Sequence, residues 1–406
     1  MIQDLDILPP SHQSVLYQTD RHGRSIRVFK LEDAQPVGQI YYPGVRLFSF
    51  HDSTLYNPIR ERIMSIPDVT PSNLHMSLAR HIEEQPVFFF VYNVDNYYHF
   101  VYDTLPYLIT YNRLKKTIPN LKLLVNYANE QQFTLNRFVL EFLELLDIGQ
   151  SDLLFIDKQT IYRTVYISSS YTHDGLSNGV PRQEVYDLYQ ELAGKVDACT
   201  DMPQKIYISR RSQKHGQLDN MGTNYTLKRR FVNEDDVVSF VETLGYQEVF
   251  TELLDTREKI ALFKNCTHVI GPIGGGLCNV LFSRPSTKLM AIVSPGFLMV
   301  NRRFSHSFVD VKTTYFYDTE HFEVSPYKKN MRVRIKSSGI IGEIAHVEDA
   351  RLCVIYSNDV VAGWNSQVRY ERAWVTPDDV EIIDDGLNAA WIIDMHKFRE
   401  AMAHVY

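Results

Sequence analysis

Residues Thr267–Phe282 read THVIGPIGGGLCNVLF: an apolar β-like run ends at Ile273, three glycines follow, and a helical stretch begins near Leu277. A short apolar strand that feeds a helix through a tight turn is the repeating unit of a parallel α/β layer. Gly274, Gly275 and Gly276 allow backbone to come close to a diphosphate. A helix N-terminus beside them offers unpaired N–H groups and a partial positive charge. The spacing matches neither the dinucleotide fingerprint nor the P-loop, whose terminal Lys-Ser/Thr is missing. A strand-to-helix turn with no ligand fits these residues equally well.

The same alternation extends to both sides of this stretch. Upstream lie KIYISRR (Lys205–Arg211), a helix over about 234–244, YQEVF (Tyr246–Phe250) and a helix over about 256–265; KLMAIVS (Lys288–Ser294) follows. A polar helical connector over 181–196 separates this half from an earlier one. That half runs PVFFFVYNV (Pro86–Val94), a helical stretch HFVYDTLPYLITYNRL (His99–Leu114), LKLLVNY (Leu121–Tyr127), a helix over about 132–146, DLLFID (Asp152–Asp157) and TVYISSS (Thr164–Ser170). Two such halves predict two Rossmann-like domains, with ligands held beyond the carboxyl ends of the strands. Residues 1–84 show mixed short segments and no chemistry. After about Tyr327 the pattern changes to short alternating strands with Gly, Asn and Asp turns, which predicts a small all-β barrel of SH3/KOW-like type. Trp391, Ile392, Met395 and Phe398 recur at helical spacing and predict a terminal amphipathic helix. The expected domains are therefore 1–190, 191–325, 326–386 and the helix 387–406.

Bulk properties bound the function. In 406 residues, 42 basic side chains face 49 acidic ones, and the net charge of −7 argues against a protein that coats nucleic acid by overall electrostatics. The four cysteines, Cys199, Cys266, Cys278 and Cys353, have no metal-ligand spacing and no disulfide framework, which suits a reducing compartment. The first ten residues lack a basic region and a long apolar run, and no window reaches membrane-spanning length, so a soluble cytoplasmic protein is expected.

Further candidate residues cluster near strand ends. Arg210 and Arg211 follow the strand of KIYISRR, where guanidinium forks suit bidentate contact with phosphate. A solvated turn is the plainer reading. In FVNEDD (Phe231–Asp236), Asn233 reads as a helix N-cap and Glu234 to Asp236 as acids that complement the helix dipole, with a ribose contact from Glu234 as an additional role. In NVDNYYHFVYDTLP (Asn93–Pro106), His99 and Asp103 stand four apart on one helix face, so the Asp could orient a His acting as general base, or serve as base itself. Lys328, Lys329, Arg332, Arg334 and Lys336 form a basic strip entering the small barrel. It reads either as solvated edge-strand charge or as an acceptor or nucleic-acid contact.

Taken in order, YYHFVYD, YISRR, VNED and GPIGGGLCNVLF resemble glycosyltransferase family 61 over roughly Phe88 to Pro295. The matching residues are His99, Asp103, Arg210, Asn233, Glu234, Gly271, Gly274, Gly276 and Asn279. The resemblance implies a GT-B-like fold and inverting transfer from a nucleotide-sugar donor, such as UDP-xylose, UDP-arabinose or UDP-N-acetylglucosamine, bound mainly by the second domain. Enzymes of that fold often return their last helix to the first domain. Where the family has a His in its glycine segment this chain has Ile273, and the β module after Tyr327 is foreign to the family core. The familiar eukaryotic members carry a membrane anchor, so a bacterial or virus-infected cell is the expected setting.

The expected site has His99 or Asp103 as base. Arg210, Arg211, Gly274, Gly275, Gly276, Leu277 and Asn279 bind the diphosphate, and Asn233, Glu234 and Gly271 contact the nucleoside. No Asp-x-Asp follows a core strand, so neither a metal nor any other cofactor beyond the donor is expected. The expected acceptor is a hydroxyl of a saccharide or glycolipid. A modified base in nucleic acid is the alternative acceptor, and a non-catalytic nucleotide-sugar or glycan-binding protein the alternative class.

Overall fold

The computed structural model describes residues 7–8, 26, 28–42, 45–51, 79–90, 96–126, 135–168, 171–172, 181, 183–197, 199, 201–214, 230–295, 307, 311–321, 327, 331–348, 351–356, 371–384 and 390–405. Its first half is built on an eight-stranded mixed sheet. Strands β1 (Ile7–Leu8), β2 (Val28–Tyr42), β3 (Val45–His51), β4 (His81–Glu83) and β5 (Val87–Phe89) come before the first helix. Strands β6 (Lys122–Val125), β7 (Leu153–Phe155) and β8 (Thr160–Ser168) complete the sheet, whose main order is β1-β2-β8-β5-β6-β7. β4 to β8 pair parallel with one another, whereas β2 lies antiparallel to β8 and β3. The segment before residue 84, which shows no periodic signal, thus supplies the antiparallel part of this sheet.

The second half is an all-parallel sheet in the order β10-β9-β11-β12-β13, made of β9 (Lys205–Ile208), β10 (Gln247–Val249), β11 (His268–Pro272), β12 (Lys288–Ile292) and β13 (Lys312–Phe316). Its crossovers use helices Glu234–Thr243 and Thr256–Asn265, close to the bounds the sequence predicts. The second helix starts cleanly because Asp255 and Glu258 form a capping box. Helix Gln183–Gly194 crosses residue 190 and packs on both halves: Tyr189 Oη donates to Val101 O at 2.7 Å, and its ring meets Phe282 edge-on. One apolar core runs through both halves, with Phe142 of the first stacked on Phe282 of the second.

A third layer is a five-stranded antiparallel sheet in the order Glu371–Val375, Arg351–Tyr356, Ile341–Glu348, Arg332–Ile335, Val380–Asp384, with its own small core around Val333, Ile344 and Val354. The chain end departs from expectation. Trp391 and Ile392 belong to a strand, Trp391–Ile393, paired with Thr319–His321, and the helix begins only at Met395. Trp391 stacks on Phe231 at 4.0 Å, and Phe398 and Met402 join the core of the second half. The final helix therefore covers the second half, and its apolar stripe begins at Met395, about one turn later than the spacing of Trp391 and Ile392 suggests.

Candidate active site

The His99 segment begins with Asn96, whose side chain caps the turn Tyr97–His99 by accepting from His99 N. The chain then widens into a π-helical turn, Phe100–Thr104, tightens to a 3-10 turn at Leu105–Tyr107 around Pro106, and becomes α-helical over Leu108–Lys115. Such π turns recur at functional sites because they re-aim side chains within a helix. His99 Nδ1 lies 2.7 Å from Asp103 Oδ2, and Thr172 Oγ1 donates to the other Asp103 oxygen at 3.2 Å. Asp103 is only 2% exposed, whereas His99 keeps 26% of its side chain open. A buried carboxylate with both oxygens engaged fixes the imidazole with its proton on Nδ1, which leaves the lone pair on Nε2. Thr172 carries no signal in the sequence that ties it to this pair.

Across the domain boundary, the glycine turn follows β11 at the carboxyl edge of the second sheet. Gly271 and Gly276 are needed for packing: an added Cβ would stand 2.9 Å from Ile208 Cβ at Gly271, and 2.7 Å from Thr251 Oγ1 at Gly276. Gly274 and Gly275 differ, since a Cβ there would meet nothing nearer than 3.9 Å. Their nearest neighbours are Arg210 Nη1 and the backbone N of Tyr98, so the half-buried turn lies between the predicted phosphate cation and the His99 segment.

Not every predicted diphosphate contact faces this space. Leu277 is fully buried and its N–H donates to Gly274 O. The expected helix after the turn is a six-residue 3-10 helix, Leu277–Phe282, too short to supply the macrodipole assumed for it. Asn279 is fully buried; it accepts from Tyr97 Oη at 2.5 Å and donates to Gly276 O at 2.9 Å. Ile273, at the family's His position, is buried and continues the strand by donating to Ile292 O.

The adjacent arginines separate. Arg211 forks onto Glu248 through Nε (2.7 Å) and Nη2 and reaches Asp235 through Nη1, so its guanidinium is committed within the protein. Arg210 sends Nη1 toward Gly274, and burial pushes its pKa below the ordinary range, against the pull of Glu234, Tyr207 and Glu252. Glu234 accepts from Arg210 N–H at 2.7 Å and from Tyr207 Oη at 3.1 Å. Its carboxyl is 3% exposed, and burial raises its pKa to about 7. Asn233 stands at the N-cap position, but its amide clamps the backbone of Ile393 from both ends rather than capping the helix. Glu234 and Asn233 are thus occupied in holding Arg210 and the chain end, respectively.

Two charged residues here have no part in the sequence argument. Lys259 lies on the inward face of helix Thr256–Asn265 at 6% exposure, with Nζ 4.6 Å from the Tyr97 ring centroid. A lysine in the apolar stripe Thr256, Ile260, Phe263 was the available signal. Glu252 follows Thr251 beside the glycine turn and has a buried carboxylate oxygen.

Lys328 and Lys329 fall outside the described residues, and of Arg332 only the backbone is described. Arg334 pairs with Glu381 at 2.8 Å and Lys336 donates to Asp378 O at 2.8 Å, so both serve the antiparallel sheet locally. Among the described residues, no helix is long and apolar enough to cross a membrane.

Residues 97–290 match the family model described as Glycosyltransferase 61, and the chain carries that family's domain and is a glycosyltransferase. The matched segment opens at the residues around His99 and closes after the glycine turn. Among curated proteins, none matches the chain.

Proposed function

We propose that this glycosyltransferase moves a sugar from a nucleotide-sugar donor, a UDP-sugar, to a hydroxyl of a saccharide or glycolipid acceptor with inversion at the anomeric carbon. The observation that supports the proposal is the glycine turn at the carboxyl edge of the second sheet, where a Cβ at Gly274 would stand 3.9 Å from Arg210 Nη1 and one at Gly275 3.9 Å from the backbone N of Tyr98, the residue before the Asp103-bonded His99. Ligands of α/β layers bind at such strand ends, which favours a GT-B-like arrangement with the donor on the second half.

The acceptor hydroxyl attacks the anomeric carbon while His99 Nε2 takes its proton, and the bond to the diphosphate oxygen breaks with its electron pair on the leaving group. Asp103 holds the imidazole and stabilises its cation. Arg210, fixed through its backbone by Glu234, offsets the charge of the departing diphosphate, and the peptide groups at Gly274 and Gly275 let it approach closely. The first half, which carries His99, is assigned to the acceptor side. No metal is required in this scheme.

The test is release of UDP from UDP-xylose, UDP-arabinose and UDP-N-acetylglucosamine in the presence of EDTA, with a thermal-shift panel of nucleoside diphosphates alongside. We expect a UDP-dependent rise in melting temperature and slow donor hydrolysis that survives the chelator. Hydrolysis restored only by manganese or magnesium would transfer the role of Arg210 to a metal. Binding without any hydrolysis would favour a non-catalytic glycan or nucleotide-sugar binder.

A further inference from the structure

The two sides of the site are joined by polar contacts that neither base catalysis nor phosphate binding uses. Tyr97, two residues before His99, donates its hydroxyl to Asn279 across 182 positions of sequence, and Asn279 in turn holds the Gly276 carbonyl. Burial pushes the Tyr97 phenol well above its ordinary pKa, so the hydroxyl stays a donor. The Tyr98 backbone stands against Gly275, 3.9 Å from where a Cβ there would lie. Lys259 places its ammonium over the Tyr97 ring, 4.6 Å from the centroid.

Packing alone does not account for these choices. The Tyr97 ring already sits edge-on to Phe138 at 5.3 Å and beside Phe142 at 6.4 Å, contacts that phenylalanine would make equally well. The hydroxyl adds only the bond to the glycine segment. Burying an ammonium is costly unless its charge is matched, and among the described residues no acceptor lies within hydrogen-bond reach of Lys259. The charged and titratable groups around it are Glu141 and Arg137 from helix Arg137–Leu145, Glu252 from the turn after β10, and Cys278 from the 3-10 helix.

We infer that Tyr97, Asn279 and Lys259 form a positioning latch that fixes the His99 base against the donor turn, serving transfer rather than donor affinity. The inference rests on the reading of His99 as base. Asn279, for which the sequence suggests diphosphate contact, acts here through Tyr97. Burial lowers the Lys259 pKa to about 8, so the ammonium that braces the ring is lost as pH rises past that value. Turnover should fall on the alkaline side with it.

The experiment compares wild type, Tyr97→Phe, Lys259→Met and His99→Ala, measuring UDP release from the three UDP-sugars, UDP affinity by calorimetry, and the pH profile. Tyr97→Phe should lower kcat tenfold or more with UDP Kd within twofold of wild type. Lys259→Met should lower kcat similarly and lose the alkaline limb near pH 8. If Tyr97→Phe does not fold, Lys259→Met carries the test, because it removes a buried charge at similar volume. Where hydrolysis is too slow to follow, the shift of the His99 Hε1 resonance on saturation with UDP replaces it, and each latch variant should abolish that shift.

An inactive His99→Ala beside fully active Tyr97→Phe and Lys259→Met overturns the latch and spares the base. A fully active His99→Ala, or a wild type that binds no UDP, overturns the functional reading and the latch together. Loss of UDP affinity equal to the loss of kcat would make these residues donor ligands and also overturn the latch.

Discussion

The seam between the two α/β halves and the antiparallel sheet at 332–384 use polar residues in opposite ways. In the seam, Asp103, Glu234, Lys259 and Asn279 are all less than a tenth exposed, and each reaches a partner on another element. In the antiparallel sheet, Arg334, Glu381 and Lys336 are exposed and bonded within the sheet. Burying polar groups costs stability unless they are matched, whereas exposed ion pairs are worth about 0–1 kcal/mol. Polar chemistry held at such cost belongs where function requires a fixed geometry. By this measure the seam is the candidate site, and Arg334 and Lys336 belong to a solvated edge.

The contrast breaks first at His99. His99→Ala should reduce turnover by about 10²–10⁴ while UDP affinity holds, since base assistance acts in the transition state. Asp103→Asn should cost less, because His99 remains; complete loss there would make Asp103 the base. Both are read from steady-state donor turnover with calorimetric UDP binding alongside.

Arg210→Ala should weaken UDP binding by about 10- to 150-fold, the value of a charged hydrogen bond of about 1.5–3 kcal/mol. Arg211→Ala should instead leave UDP affinity within about twofold and lower the melting temperature, because its fork belongs to Glu248. Equal effects from the two arginines would erase the distinction drawn between them.

A smaller effect sharpens the picture of Glu234. Its carboxyl holds a proton to about pH 7 when folded, against 4.5 ordinarily, so the folded state binds that proton more tightly than the unfolded chain. Its contribution is fully present below about pH 4.5 and is lost as pH rises through about 7, a change of about 3 kcal/mol. Urea denaturation at pH 5 and pH 8 should show this decline in wild type and not in Glu234→Gln.

The smallest effect is expected in the antiparallel sheet. Replacing Lys328, Lys329 and Arg332 by Ala should leave donor turnover and DNA affinity within about twofold. A marked loss of DNA binding with a flatter salt dependence would return a nucleic-acid acceptor to consideration.

The chain reveals these two regions unevenly. The His99–Asp103 pair, the helices at 234–243 and 256–265 and the glycine turn are local patterns, and local patterns survive folding. Thr172, Lys259 and the Tyr97–Asn279 bond are long-range, and no spacing rule connects residues 69 or 182 positions apart. Arg210 and Arg211 look alike in sequence because what separates them is Glu248 on the next strand. The strands before residue 84 carry no periodic signal because β2 takes its place in the sheet from pairing with β8 rather than from its own alternation. Trp391 and Ile392 fit a helical spacing by chance; pairing with Thr319–His321 and stacking on Phe231 decide otherwise.

A crystal structure of the protein with UDP tests the central assignment most directly. The diphosphate should lie over Gly274 and Gly275, in contact with the Arg210 guanidinium and on the same side as His99. Diphosphate density anywhere else, above all against the antiparallel sheet or with Arg210 turned away from it, would rule out Arg210 and the glycine turn as the donor site.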